Sequence, residues 1–153
     1  MLARLMYWQI RTTLNREFRY FLASVVVIAT LLAVQNLLNW ATHWMLFVVP
    51  LVLGARMGAR LASPKVGFIG GFLTGYFGFL FGTTIFVTIH WSDLVDVVGA
   101  FALPAAILTG LLVGGIFGII LGLEVGAVGA LFAFVSMRIR RRRLEHAAGK
   151  AFY

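Results

Sequence analysis

Uncharged, mostly apolar residues fill three long stretches of the chain: Tyr20 to Ala55, Val66 to Ser92 and Val97 to Leu123. They run for 36, 27 and 27 residues, and about 20 apolar residues suffice for a helix to cross the hydrocarbon core of a bilayer. The first stretch, extended past its charged ends, divides into two crossings around a turn between Gln35 and His43. This pattern predicts helical spans at 19–38, 44–61, 66–89 and 104–137. Ahead of them, Leu2, Leu5, Met6, Ile10 and Leu14 recur at steps of three and four, with Arg4, Arg11 and Asn15 on the opposite face. That spacing predicts an amphipathic interfacial helix over 1–17, with its arginines near anionic lipid. The expected fold is all-α: one polytopic membrane domain over 1–153, closing in a basic tail at 138–153.

Composition sharpens this reading. The chain is 61% hydrophobic and 12% charged, against roughly 45–50% and about 25% in soluble proteins, which excludes a soluble globule and intrinsic disorder. The absence of cysteine removes disulfides, thiolate nucleophiles and iron–sulfur ligands from consideration. No small-residue cleavage site follows the first apolar run, so it reads as a span rather than a signal peptide.

Charge then orients the spans. The net charge is +8, and the thirteen basic residues form three clusters. These are Arg4, Arg11, Arg16 and Arg19; Arg56, Arg60 and Lys65; and Arg138, Arg140, Arg141, Arg142, Arg143 and Lys150. Asp93 and Asp96 fall in an intervening turn. Basic residues gather on the cytoplasmic side, so four crossings of the cell (inner) membrane place every cluster and both termini in the cytoplasm. Trp40, Trp44 and Trp91 then lie at the outer boundary, where aromatic rings prefer to sit. The arginine run abuts a span and lacks interleaved aromatics, so its expected partner is anionic inner-leaflet lipid and not nucleic acid.

Thirteen of the seventeen glycines fall within 67–82 and 110–129. Gly110, Gly114, Gly118, Gly122 and Gly126 form an unbroken i, i+4 series, which draws a slowly drifting stripe along one helix face. Glycine lets backbones approach closely in lipid, where helix association depends on van der Waals contact. Gly67, Gly71, Gly75, Gly78 and Gly82 offer the expected matching face on the third span. A shift of forty residues aligns Pro64 with Pro104 and five further identities, including Gly70 with Gly110 and Gly75 with Gly115, which suggests an internal duplication.

Ser63-Pro64 reads as a helix start. Ser92 or Asp93 reads as the cap of a short segment over 93–103 that kinks at Pro104. From Pro104 to Met137 a helix runs about 51 Å, longer than a core of about 30 Å. It must therefore project into the cytoplasm or break. A rival layout with a turn at Gly114-Gly115 gives five spans and leaves the arginine run outside.

Candidate chemistry is sparse. Glu124 is the one acid inside a predicted span, and an intramembrane carboxylate marks a possible ion or proton site. Its structural alternative is a salt bridge to Arg56 or Arg60. His43 and His90, each beside a tryptophan, could ligate heme or a metal, although no ligand cluster accompanies them; no metal and no cofactor is expected. Thr83, Thr84 and Thr88 could hydrogen-bond across helices. No catalytic arrangement is visible, so the chain is not expected to be an enzyme.

Residues Pro50-Leu51-Val52-Leu53-Gly54-Ala55-Arg56-Met57-Gly58, with Val66-Gly67-Phe68-Ile69-Gly70-Gly71, resemble the core of small glycine-rich four-span prokaryotic membrane proteins of unknown function. The resemblance covers residues 48–82 and implies architecture without an activity. The sequence thus points to a non-catalytic membrane subunit that packs through glycine faces into a homo-oligomer or larger complex. The alternative is a small ion channel or proton-coupled transporter using Glu124.

Overall fold

A computed structural model describes residues 2–35, 44–61, 63–91, 95 and 99–150, with side chains described from 15 to 146 within those ranges. Its regular elements are all helical: α1 (Leu2–Ala33), α2 (Met45–Arg60), α3 (Pro64–Ile89), a 3₁₀ turn (Gly99–Phe101) and α4 (Ala102–Lys150). Trp40, His43, Ser92, Asp93 and Asp96 lie outside the described residues, as do the side chains of Arg4, Arg11 and Lys150.

Several boundaries differ from the sequence reading, among them the end of the first span, where the helix stops at Ala33 instead of 38. The interfacial segment and first span form one continuous helix, α1, because Arg16-Glu17-Phe18-Arg19 contains no glycine or proline to break it. The last helix begins at Ala102 and continues unbroken through the arginines to Lys150. Pro104 therefore occupies its first turn, where a missing N–H costs nothing. Gly114 and Gly115 stay helical, which eliminates the five-span layout. At 49 residues, α4 extends about 74 Å.

The start of α3 is as expected. Ser63 is extended (φ −147°, ψ 137°) and Pro64 opens the helix, although the Ser63 side chain makes no capping bond. The Leu61 amide closes α2 by donating to Met57 O and Gly58 O.

Helices successive in the chain alternate in direction. Gly78 and Gly82 of α3 meet Ile28 and Leu32 of α1, so those two helices run parallel. Gly54 and Gly58 of α2 meet Val125 and Gly129 of α4, a second parallel pair. Between the pairs, Gly110 lies against Thr84 and Gly126 against Phe68, which makes α3 and α4 antiparallel. The α3–α4 contact is the most extensive in the molecule.

Most buried positions on α3 and α4 are small, Leu121 and Val125 excepted, and many of the exposed ones are large. α3 buries Gly67, Gly71, Thr74, Gly75, Gly78 and Gly82, while Ile69, Phe81 and Ile85 face outward. On α4, Ala102, Ala106 and Ala133 are fully buried, whereas Leu108, Ile116 and Phe117 are more than half exposed. Water would penalise that inverted arrangement, at roughly 25 cal/mol for each Å² of apolar surface. α3 and α4 are long and apolar enough to cross a membrane, with mean hydropathies of 1.6 and 2.4 in their most apolar windows. Only 22% and 33% of those windows is buried within the chain. The core helix of a soluble protein would be mostly covered.

Candidate functional site: glycine contacts, a charged cleft and a groove-facing carboxylate

Each glycine of the α4 stripe lies against a backbone oxygen or α-carbon of α3. A Cβ built on Gly110 would stand 2.6 Å from Thr84 Cα; on Gly114, 3.0 Å from Leu80 O; on Gly118, 3.0 Å from Tyr76 O. Gly122 meets Phe72 O at 2.9 Å and Gly126 meets Phe68 O at 3.0 Å in the same sense. Every four-residue step along α4 is thus matched by a four-residue step back along α3. Going the other way, Gly71 faces Val125 O at 2.5 Å and Gly75 faces Gly122 Cα at 3.0 Å.

The expected single face on α3 divides in two. Gly67, Gly71 and Gly75 turn toward α4, but Gly78 and Gly82 face Ile28 and Leu32 of α1. The cause is the step from Gly75 to Gly78, three residues instead of four, which swings the stripe about 60° short of a full turn. Gly54 and Gly58 carry a further contact, with Gly58 directly against Gly129 O. Their four-residue spacing was the available signal. Gly58, Gly67 and Gly129 meet where α2, α3 and α4 converge, and a Cβ on Gly129 would be 2.5 Å from Gly67 O and 3.4 Å from Gly54 O.

The positions related by the forty-residue shift do not share surroundings. Gly75 is buried against α4, while Gly115 has nothing within 4 Å. Gly70 looks toward Leu61 and Met57 of α2, whereas its counterpart Gly110 meets α3. The proposed cross-helix role of Thr84 also gives way. Its hydroxyl donates to Leu80 O of its own helix at 2.7 Å, the usual back-bond of a helical threonine.

Basic residues from three helices gather at one end of the bundle. The Arg60 guanidinium lies 3.6 Å from the centroid of the Tyr20 ring, a cation–π stack of α2 on α1. Arg140 Nη2 donates to Ala59 O at 3.4 Å, tying the start of the arginine run to the end of α2. Arg141 pairs with Glu145 at 3.1 Å, with both side chains well exposed, so that bridge contributes little. Arg138 and Arg142 flank Phe134, Val135 and Ile139 on the outer side of α4.

Between α1 and α2 at this same end lies a cleft of about 210 Å³, with Glu17, Tyr20, Arg56 and Arg60 on its walls. Glu17 Oε1 is 3.4 Å from Arg16 Nε, and the Glu17 side chain is only 20% exposed. Glu17 Oε2 and Arg60 Nη1 are buried and have no hydrogen-bond partner among the described residues.

Glu124 makes no salt bridge to Arg56 or Arg60, contrary to the expected pairing. Both arginines line the α1–α2 cleft with Glu17, while Glu124 opens onto a different groove of about 380 Å³. Gln35, Phe47, Phe79, Phe117 and Ile120 surround it there. The reason is angular. Val125 and Gly126 occupy the buried face of α4, and the preceding residue is turned about 100° away from Val125. Glu124 is accordingly exposed.

His90 Nδ1 lies 2.9 Å from Phe86 O, within the last turn of its own helix, and its ring stacks 4.5 Å from that of Phe86. Among the described residues no three His, Asp or Glu side chains converge as a metal site. Comparison with family models, curated proteins and solved structures yields no match for this chain.

Proposed function

We propose that the chain is a non-catalytic integral membrane subunit whose four helices span the cell (inner) membrane and pack through their glycine faces. Both termini and all the basic clusters are cytoplasmic in this reading, against anionic inner-leaflet lipid. Support comes from the small-inside, large-outside burial of α3 and α4, and from the gathering of Arg60, Arg140 and Tyr20 at one end. The glycine stripe of α4 is occupied by α3 of the same chain, so a second copy or a larger assembly is held by other surfaces.

One observation carries the subunit reading: α4 outruns its partners. Ala133 lies against Gly67, close to the first turn of α3, yet α4 continues for 17 residues to Lys150. Those 17 further residues extend about 26 Å, and Phe134, Val135, Ile139 and Leu144 are exposed along them. Exposed apolar side chains on a projecting helix suit an interaction surface, and Phe134, Val135 and Ile139 share one side of it. In mild detergent the intact chain should run as an oligomer or with a co-purifying protein. Phe134→Ser with Ile139→Ser should release it as a monomer of unchanged helix content. A wild-type chain that is monomeric and alone contradicts the proposal.

A second reading, a small channel or proton-coupled transporter, draws on the exposed Glu124 carboxylate beside its apolar groove. A charge held in hydrocarbon without a partner is costly and usually functional. Proteoliposomes should then show cation or proton flux that Glu124→Gln removes. Absence of flux in both proteins leaves the subunit reading.

A further inference from the structure

The cleft between α1 and α2 holds opposite charges that do not pair with each other. Glu17 and Arg60 both line it, but no ion pair joins them, and Glu17 leans instead on its neighbour Arg16. Tyr20 fixes the guanidinium plane of Arg60 from one side. Arg60 Nη1, a cationic donor, and Glu17 Oε2, an anionic acceptor, are both buried and unsatisfied. Burying such groups unpaired is unfavourable, the more so when they are charged. A molecule carrying both an anion and a hydrogen-bonding cation would satisfy the two once their side chains turn these atoms into the cleft.

The position of the cleft narrows the choice. It sits where the basic residues of α1, α2 and α4 gather, the depth at which lipid headgroups lie if the helices span a bilayer. Arg56, exposed at the rim, adds a second guanidinium beside Arg60, and paired guanidinium donors suit a phosphate. Away from the charges the walls become apolar, through Ala23, Val27 and Leu53, with Val27 43% exposed. An acyl chain can follow that surface along the spans. The volume of about 210 Å³ equals about seven waters at roughly 30 Å³ each, room for a phosphate and a two-carbon amine.

We propose that this cleft is a headgroup site for an amine-bearing zwitterionic phospholipid of the phosphoethanolamine class. Its phosphate accepts from Arg60 and Arg56, and its ammonium donates to Glu17. The chemistry discriminates against close relatives. A phosphocholine headgroup carries a quaternary nitrogen with no proton to give to Glu17 Oε2. A phosphoglycerol headgroup has no cation, so its bound form leaves the carboxylate uncompensated. The assignment rests on the membrane reading above. A chain that still requires detergent but shows no lipid preference overturns the assignment alone.

The test is native mass spectrometry and thermal unfolding of the full chain in detergent. Phosphatidylethanolamine, phosphatidylcholine, phosphatidylglycerol and soluble glycerophosphoethanolamine are each added at matched concentrations. Phosphatidylethanolamine should be retained about tenfold or more over the other two lipids, the value of one charge-assisted hydrogen bond. Glu17→Gln, which keeps the shape of the side chain, should abolish the preference over phosphatidylcholine while leaving the helix content unchanged. Arg60→Gln should weaken retention of phosphatidylethanolamine itself. Equal retention of the ethanolamine and choline lipids overturns the proposal, as does a preference that survives Glu17→Gln. Equally tight binding of glycerophosphoethanolamine overturns the lipid as the source of the headgroup.

Discussion

Leucine at Gly71 or Gly122 is expected to abolish the folded bundle, whereas leucine at Gly115 leaves it intact. A Cβ at Gly71 would lie 2.5 Å from Val125 O and 3.0 Å from Gly126 Cα; at Gly122 it would lie 2.9 Å from Phe72 O. These obstacles are backbone atoms and cannot rotate aside, so α3 and α4 must separate along their whole contact. Even the single methyl of Gly71→Ala should cost about 1–3 kcal/mol by overpacking. That lowers the melting temperature by roughly 3–10 °C in a chain of this length. Leucine multiplies the clash and exceeds what a stability of about 5–15 kcal/mol can absorb. Gly115 has open space around it, and there the helix propensity gained over glycine, about 1 kcal/mol, makes substitution neutral or favourable. Circular dichroism melts in detergent separate the cases. A Gly71→Leu protein melting with the wild type would contradict close α3–α4 contact.

The second large effect is all-or-none. Because the chain has no cysteine, single cysteines report sidedness without background. Trp44→Cys and Trp91→Cys lie at the end of the bundle opposite the basic clusters, and an impermeant maleimide should label them in intact cells. Ser63→Cys and Leu144→Cys lie at the basic end and should react only after lysis. Leu144 is 71% exposed, so no contact within its own chain shields it from the reagent. External labelling at Leu144→Cys would reverse the proposed orientation and dismantle the reading of the arginine run.

Much of the helical plan could be read from the chain because apolar runs and basic clusters are one-dimensional signals. The i, i+4 glycines from Gly110 to Gly126 foretold a continuous contact face, since their spacing alone fixes a common azimuth. What lay beyond the sequence was chiefly rotation. α3 carries small residues on two sides, and nothing in its composition says that Gly78 and Gly82 turn toward α1. Depth alone suggested Arg56 and Arg60 as partners for Glu124, but depth says nothing about angle, and the arginines face α1. The continuity of α1 across Glu17 and Phe18 was legible and missed: a change from amphipathic to wholly apolar pattern looks like a boundary, yet no breaker interrupts it. The cleft containing Glu17 had no signal of its own, because its charges converge only once α1 and α2 lie side by side.

The even register between α3 and α4 also limits how the molecule can move. Successive notches are four residues apart, a pitch of about 6 Å, and each is filled by a carbonyl or α-carbon of the facing helix. A small axial slip would drive ridges onto ridges, so gliding of one rod past the other is permitted only in whole teeth. Gradual rearrangement is left to rocking about the point where Gly58, Gly67 and Gly129 touch. The end of α4 beyond Arg140, once its tether to Ala59 O is released, would then sweep a wide arc for a small change of angle at that fulcrum.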